Sequence, residues 1–193
     1  MFMTLPNFLT ALRIVVIPFI LLGLYVNTEL SRWIAFSLYT IAGVTDFFDG
    51  YIARATGNTT ALGRFLDPVA DKLLVTTVVI ALIGLGSEKD GLGMWNAIAG
   101  LVIVLREITV SGLREYLAEI QVNVPVSRLA KWKTTFQILA LGFLIVGDTA
   151  TPIIIPSAEI GIILLWISVI LTIITGYDYM RSGLKHMLQD ERK

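Results

Sequence analysis

Six uncharged, mostly apolar runs divide this chain: Ile14 to Tyr25, Trp33 to Thr45, Leu73 to Gly86, Gly91 to Leu105, Thr134 to Gly147 and Ile160 to Tyr177. A soluble domain carries about 25% charged residues, whereas here 16% of the residues are charged and 55% are hydrophobic. The runs predict an all-α, polytopic membrane protein: six transmembrane helices in a single domain, residues 1–193, around a cytoplasm-facing polar cavity. A helix needs about 20 residues to cross a bilayer core about 30 Å thick, and only the last run approaches that length. The others must therefore extend into charged sequence. The first extends back through Arg13, the second forward through Asp46 and Asp49, the third back through Asp71 and Asp67, and the fourth forward through Arg106 and Glu107. With helices alternating in direction, all four extensions fall on one side of the membrane.

The distribution of Lys and Arg names that side. The first, third and fifth connections hold only Arg32 and Lys89, and the other thirteen basic residues share the opposite side with both termini. Cytoplasmic loops collect positive charge, so both termini are expected in the cytoplasm and the protein in the cell membrane. Arg13 inside the first apolar stretch speaks against a cleaved signal peptide. Two longer connections are expected: Glu115 to Ala130 on the cytoplasmic side, with room for a short amphipathic segment, and Asp148 to Glu159, with two prolines, outside. Fifteen basic residues against fifteen acidic ones give no basic surface, and no nucleic-acid partner is expected. The absence of cysteine excludes disulfides, zinc–thiolate sites and thiol nucleophiles. His186 reads as a surface residue, and Trp33, Trp95, Trp132 and Trp166 as interfacial anchors or packing groups. Chemistry is left to carboxylates, cations and hydroxyls.

Carboxylates gather where the second helix ends and the third begins. Asp46 and Asp49 are three residues apart and Asp67 and Asp71 four, so each pair lies on one helix face, one turn apart. At about 1.5 Å per residue from Trp33, Asp46 lies roughly 18 Å into the membrane. Each such carboxylate costs about 2.5–3.5 kcal/mol to insert, and four together repel one another. Oxygen ligands of this kind suit hard divalent cations, magnesium above all, with two ions sharing carboxylates as an arrangement for phosphoryl chemistry. Gly50 and Ala53 continue the face of the first pair and admit a bulky ligand, Arg54 offers a planar donor fork, and Gly63 lies one turn before Asp67. Pro68 is expected in the first turn of the third helix.

Asp46, Asp49-Gly50, Ala53-Arg54, Gly63, Asp67 and Asp71, at these spacings, resemble the complete signature of the CDP-alcohol phosphotransferases. Members of that family are integral membrane enzymes that move a substituted phosphoryl group from a CDP-linked donor to an alcohol and release CMP. The resemblance implies that Asp46, Asp49, Asp67 and Asp71 hold two divalent ions, Mg2+ or alternatively Mn2+, with Asp71 also the general base. It implies that Gly50, Ala53, Arg54 and Gly63 contact the CDP moiety, with Asn7 near the nucleotide, and that the protein is a homodimer. A cation-coupled transporter would also carry intramembrane carboxylates, and a prenyltransferase would hold magnesium on aspartate pairs. Neither explains the glycine, alanine and arginine spacing. A non-catalytic scaffold would be indifferent to loss of Asp71.

Acceptor choice must lie outside the signature, and the candidates are cations. Arg106, Arg114, Arg128, Lys131 and Lys133 occupy the cytoplasmic half of the fourth and fifth helices or the loop between them, and would suit a phosphorylated acceptor. Loop cations also satisfy the positive-inside rule by touching lipid phosphates, but Arg106 follows fifteen uncharged residues and lies within the membrane, where function is the default reading. The stretch Arg106-Glu107-Ile108-Thr109-Val110-Ser111-Gly112-Leu113-Arg114-Glu115 is similar to the branch of the family that forms phosphatidylglycerol phosphate. That likeness implies CDP-diacylglycerol as donor and glycerol 3-phosphate as acceptor, with inositol phosphate or serine as alternatives.

Overall fold

Each apolar run falls on one longer helix, with Gly86 and residues 91–93 just outside the third and fourth helices. The computed structural model describes residues 5–56, 61–86, 90–122, 127–150 and 155–190, with side chains described throughout these except at 5, 6, 46–56, 61, 64 and 185–190. The elements are α1 (Leu5–Val26), α2 (Glu29–Thr56), α3 (Ala61–Leu85), α4 (Met94–Glu119), α5 (Arg128–Ala150) and α6 (Ser157–Asp190). All four expected extensions into charged sequence occur. Among the described residues five segments are long and apolar enough to cross a bilayer: Asn7–Val26, Phe65–Leu85, Met94–Glu119, Arg128–Ala150 and Ser157–Leu184. The protein is a multi-pass, all-helical membrane protein.

Three expectations about helix ends are corrected. Helix α4 continues to Glu119 and α5 starts at Arg128, so the connection between them is shorter than the expected Glu115 to Ala130; residues 123–126 lie outside the described set. On the other side, α5 resumes after a break at Gly147 (φ 61°, ψ −177°) and includes Asp148, while α6 begins at Ser157. Pro68 is not in a first turn either, because α3 begins at Ala61. Proline cannot donate to the Arg64 carbonyl, a defect that membrane helices tolerate where neighbouring groups re-satisfy the oxygen.

The helices form a ring in the order α1, α2, α5, α6, α4, α3, closing back on α1. Side-chain contacts fix the register around it. Helices α1 and α3 run parallel, with Thr10 against Asp67, Arg13 against Asp71 and Tyr25 against Gly84. Helices α4 and α6 are also parallel: Asn96 meets Trp166, Arg106 meets Gly176 and Leu113 meets Gly183. Helices α2 and α5 are antiparallel, with Phe36 beside Gly142 and the Tyr39 hydroxyl donating to the Ile138 carbonyl at 3.3 Å. Ile20, Leu24, Leu82, Ile103, Leu141, Leu144 and Leu165 are fully buried between them, whereas Phe19, Ile80, Leu105 and Ile170 face outward, as lipid-facing positions do.

Glycine allows a close approach of α1 and α2. A Cβ on Gly23 would stand 2.7 Å from the Ser31 carbonyl oxygen and 2.9 Å from Ala35 Cβ. The obstacle is backbone and cannot swing away. Gly23→Ala is expected to destabilise the protein by about 1–3 kcal/mol, read as a thermal midpoint several degrees lower in detergent; an unchanged midpoint would refute this packing.

At the opposite end of the bundle from the carboxylates, Arg32 is fully buried, not a loop cation as its place in the sequence predicts. Its Nε donates to Asn27 Oδ1 at 2.9 Å, Nη1 to the carbonyls of Leu144 and Ile145 at 3.2 and 3.1 Å, and Nη2 to the Asp90 carbonyl at 2.6 Å. The break at Gly147 explains the need. An unbroken helix would give the Thr149 N–H to Ile145 O, but that N–H donates instead to Asp90 Oδ1 at 3.2 Å, as does the Thr149 hydroxyl at 2.5 Å. Arg32 takes over carbonyls that α5 leaves behind.

Candidate active site

Helix α1 carries a polar stripe through apolar sequence: Asn7, Thr10 and Arg13, three residues apart and so on one face, with relative exposures of 5%, 0% and 3%. The parallel register with α3 aims this stripe at the carboxylates. The Thr10 hydroxyl donates to Asp67 Oδ1 at 2.7 Å, and Arg13 Nη1 donates to Asp71 Oδ1 at 2.6 Å. Arg13 is 1% exposed in its side chain and Asp71 51%, so a buried cation holds a carboxylate that still reaches solvent. Gly63 is buried one turn before Asp67, which is itself exposed.

Asp46, Asp49, Gly50, Ala53 and Arg54 belong to α2, but their side chains lie outside the described residues. The backbone still locates them. Continuing the α2–α5 register from Tyr39 and Ile138 brings Asp46 and Asp49 level with the first turns of α5, around Arg128 to Trp132. Among the described residues no group of three or more potential metal ligands forms. The two described carboxylates, one turn apart on α3 and open to solvent, have the oxygen donors that a divalent cation takes, so this half of the expected set fits such an ion.

The five candidate acceptor cations separate into two groups. Arg114, Arg128 and Lys131 are exposed near the C-terminal end of α4 and the N-terminal end of α5. Arg106 and Lys133 turn inward around Glu107: Lys133 is 3% exposed and its ammonium pairs with Glu107 Oε1, while Arg106 Nη1 stands 3.7 Å from the same oxygen. Arg106 Nη2 donates to Thr175 Oγ1 at 3.3 Å, and its guanidinium carbon lies 6.0 Å from the centre of the Tyr179 ring. A Lys72–Glu115 pair at 3.2 Å links α3 to α4 nearby.

Between α2 and α5 runs an apolar groove of about 720 Å³, lined by Trp33, Phe36, Gly43 and Val44 on one side and Gly142 and Phe143 on the other. Its inner end at Val44 is two residues from Asp46. Sequence reasoning assigned no partner to Thr10 or Arg13, and did not pair Glu107 with Lys133. The α1 stripe was the available signal for the first two; the third depends on which helices are neighbours, and helical spacing does not encode that.

Residues 3–174 match the model of a protein family described as CDP-alcohol phosphatidyltransferase. The chain belongs to that family. As a CDP-alcohol phosphatidyltransferase it is a transferase of phospholipid biosynthesis, and relatives align along almost its whole length. A Rickettsia felis protein is 48% identical over 182 residues, covering 94% of this chain and 96% of its own. A Rickettsia typhi protein is 49% identical over 178 residues, 92% of this chain and 96% of its own, and a Haemophilus influenzae protein is 39% identical over 188 residues, 96% of each. All three are named CDP-diacylglycerol–glycerol-3-phosphate 3-phosphatidyltransferase.

Proposed function

We infer that this CDP-alcohol phosphatidyltransferase transfers the phosphatidyl group of CDP-diacylglycerol to glycerol 3-phosphate, giving phosphatidylglycerol phosphate and CMP. The observation that carries the reading is likeness along nearly the full length to relatives named for that reaction. The site agrees with it. An apolar groove ending beside Asp46 offers surface for the acyl chains of a lipid-linked donor, and cations on α4 and α5 suit an acceptor that carries a phosphate.

In the proposed reaction the acceptor hydroxyl attacks the phosphatidyl phosphorus, the P–O bond to CMP breaks, and the electron pair leaves on the CMP phosphate. The hydroxyl proton passes to Asp71, which Arg13 holds in place from α1. Asp46, Asp49, Asp67 and Asp71 are the proposed ligands of two divalent ions, Mg2+ or Mn2+, whose charge when bound would neutralise the diphosphate and the leaving group. Gly50, Ala53, Arg54, Gly63 and Asn7 are proposed to contact the CDP moiety, and Arg106, Arg114, Arg128 and Lys131 to face the acceptor; Lys133, the fifth expected acceptor contact, is paired with Glu107. Six crossings with both termini in the cytoplasm, and a homodimer in the cell membrane, belong to the same proposal.

The test is CMP release in detergent from CDP-diacylglycerol, with glycerol 3-phosphate, inositol phosphate and serine compared side by side. Glycerol 3-phosphate is expected to be the working acceptor, and a chelator is expected to abolish release until Mg2+ or Mn2+ is restored. Serine as sole acceptor would overturn the acceptor, undiminished activity in chelator the metal, and no CMP with any acceptor the reaction.

A further inference from the structure

The acceptor reading treats the cations of α4 and α5 as equivalent, but the ring of helices does not leave them so. Arg106, Glu107 and Lys133 form one cluster inside the membrane span, with side-chain exposures of 15%, 23% and 4%. Among the described residues, two cations and one carboxylate leave a net single positive charge there. Lys133 is committed: its ammonium lies on Glu107 Oε1, and its side chain is almost completely buried. Arg106 has a looser hold on the same oxygen, at 3.7 Å, beyond ordinary hydrogen-bond length. Its Nε is buried without a hydrogen-bond partner among the described residues, and its other described partners are both uncharged, the Thr175 hydroxyl and the Tyr179 ring. Its stem packs beside Gly176, where a Cβ would stand 3.4 Å from Arg106 Cγ, an ordinary contact distance. Arg106 thus carries unspent donors in a place where an unpaired charge is costly.

We infer that Lys133 is a positioning residue: by occupying the Glu107 carboxylate it keeps Arg106 available to the phosphate of the acceptor. This rests on the phosphorylated acceptor proposed above. Without the ammonium, Glu107 is left with Arg106 as its nearest cation, and the guanidinium closes the remaining gap to form a direct pair. The phosphate then competes with an internal carboxylate for the same fork. Removing both Lys133 and Glu107 restores the net charge of one and leaves Arg106 unopposed.

The test compares wild type, Lys133→Met and the double variant Lys133→Met/Glu107→Gln by steady-state kinetics and thermal midpoint in detergent. Lys133→Met is expected to raise KM for glycerol 3-phosphate about tenfold or more, the scale of one weakened charge-assisted hydrogen bond, with KM for CDP-diacylglycerol within about twofold. The double variant is expected to return acceptor KM to within about threefold of wild type. A double variant as impaired as Lys133→Met would show that Lys133 itself binds the acceptor, and a parallel change in donor KM and midpoint would reduce it to a packing role; either overturns the inference. If Lys133→Met does not fold, the charge-balanced double variant decides alone, a tenfold higher acceptor KM being the adverse result. A wild-type enzyme that uses no phosphorylated acceptor overturns the functional reading itself, so the two failures are distinguishable.

Discussion

Replacing Asp71 by Asn is expected to lower kcat by roughly 10²–10⁴-fold, the range supplied by a positioned proton acceptor, with little loss of stability. The contrast follows from the geometry. Arg13 Nη1 donates to Asp71 Oδ1 at 2.6 Å, and an asparagine carbonyl in the same rotamer can still accept that bond. What disappears is the negative charge and the ability to take a proton. Asp71 is about half exposed, and the retained hydrogen bond from the buried Arg13 limits the cost of losing the carboxylate charge beside it. CMP release and a thermal midpoint measured on the same preparation check both halves. Activity above a tenth of wild type would remove Asp71 from the chemistry, and a collapsed midpoint would assign it to the fold.

The largest effect on stability is expected at the other end of the bundle. Arg32→Met should destabilise the protein by about 3–5 kcal/mol, since two buried carbonyls lose their donor at about 1–3 kcal/mol each and the Asp90 and Asn27 oxygens lose theirs as well. For a chain of this length that corresponds to a midpoint roughly 10 °C lower. Arg32→Lys should recover only part of it, because one ammonium cannot span the directions that the planar fork reaches. Differential scanning fluorimetry in detergent measures the shift, and a loss under about 1 kcal/mol would mean that water replaces the guanidinium. Catalytic constants of the folded fraction should change little, as Arg32 and Asp71 lie at opposite ends of the bundle.

What the sequence disclosed, and what it withheld, divides along a physical line. Helices and their extensions were legible because a bilayer sets a minimum length, and runs too short to span had to recruit Asp46, Asp67, Asp71 and Arg106. The pairing of Asp67 with Asp71 on one face was legible because it is local geometry on one helix. Partners across helices were not. That Thr10 meets Asp67, that Lys133 meets Glu107 and that Arg32 serves the end of α5 all depend on the ring order. The positive-inside rule counted Arg32 as a loop charge and was blind to the break at Gly147, which creates its partners.

The parallel pairing of α1 with α3 also bears on how the chain enters the membrane. Helix α1 is made first, so Arg13 and Thr10 are already in the bilayer when the carboxylates of α3 arrive 57 and 58 residues later. An unescorted aspartate at depth costs about 2.5–3.5 kcal/mol. Here the complementary charge precedes it in synthesis, and the helix that helps to build the site first serves as the template on which α3 is received.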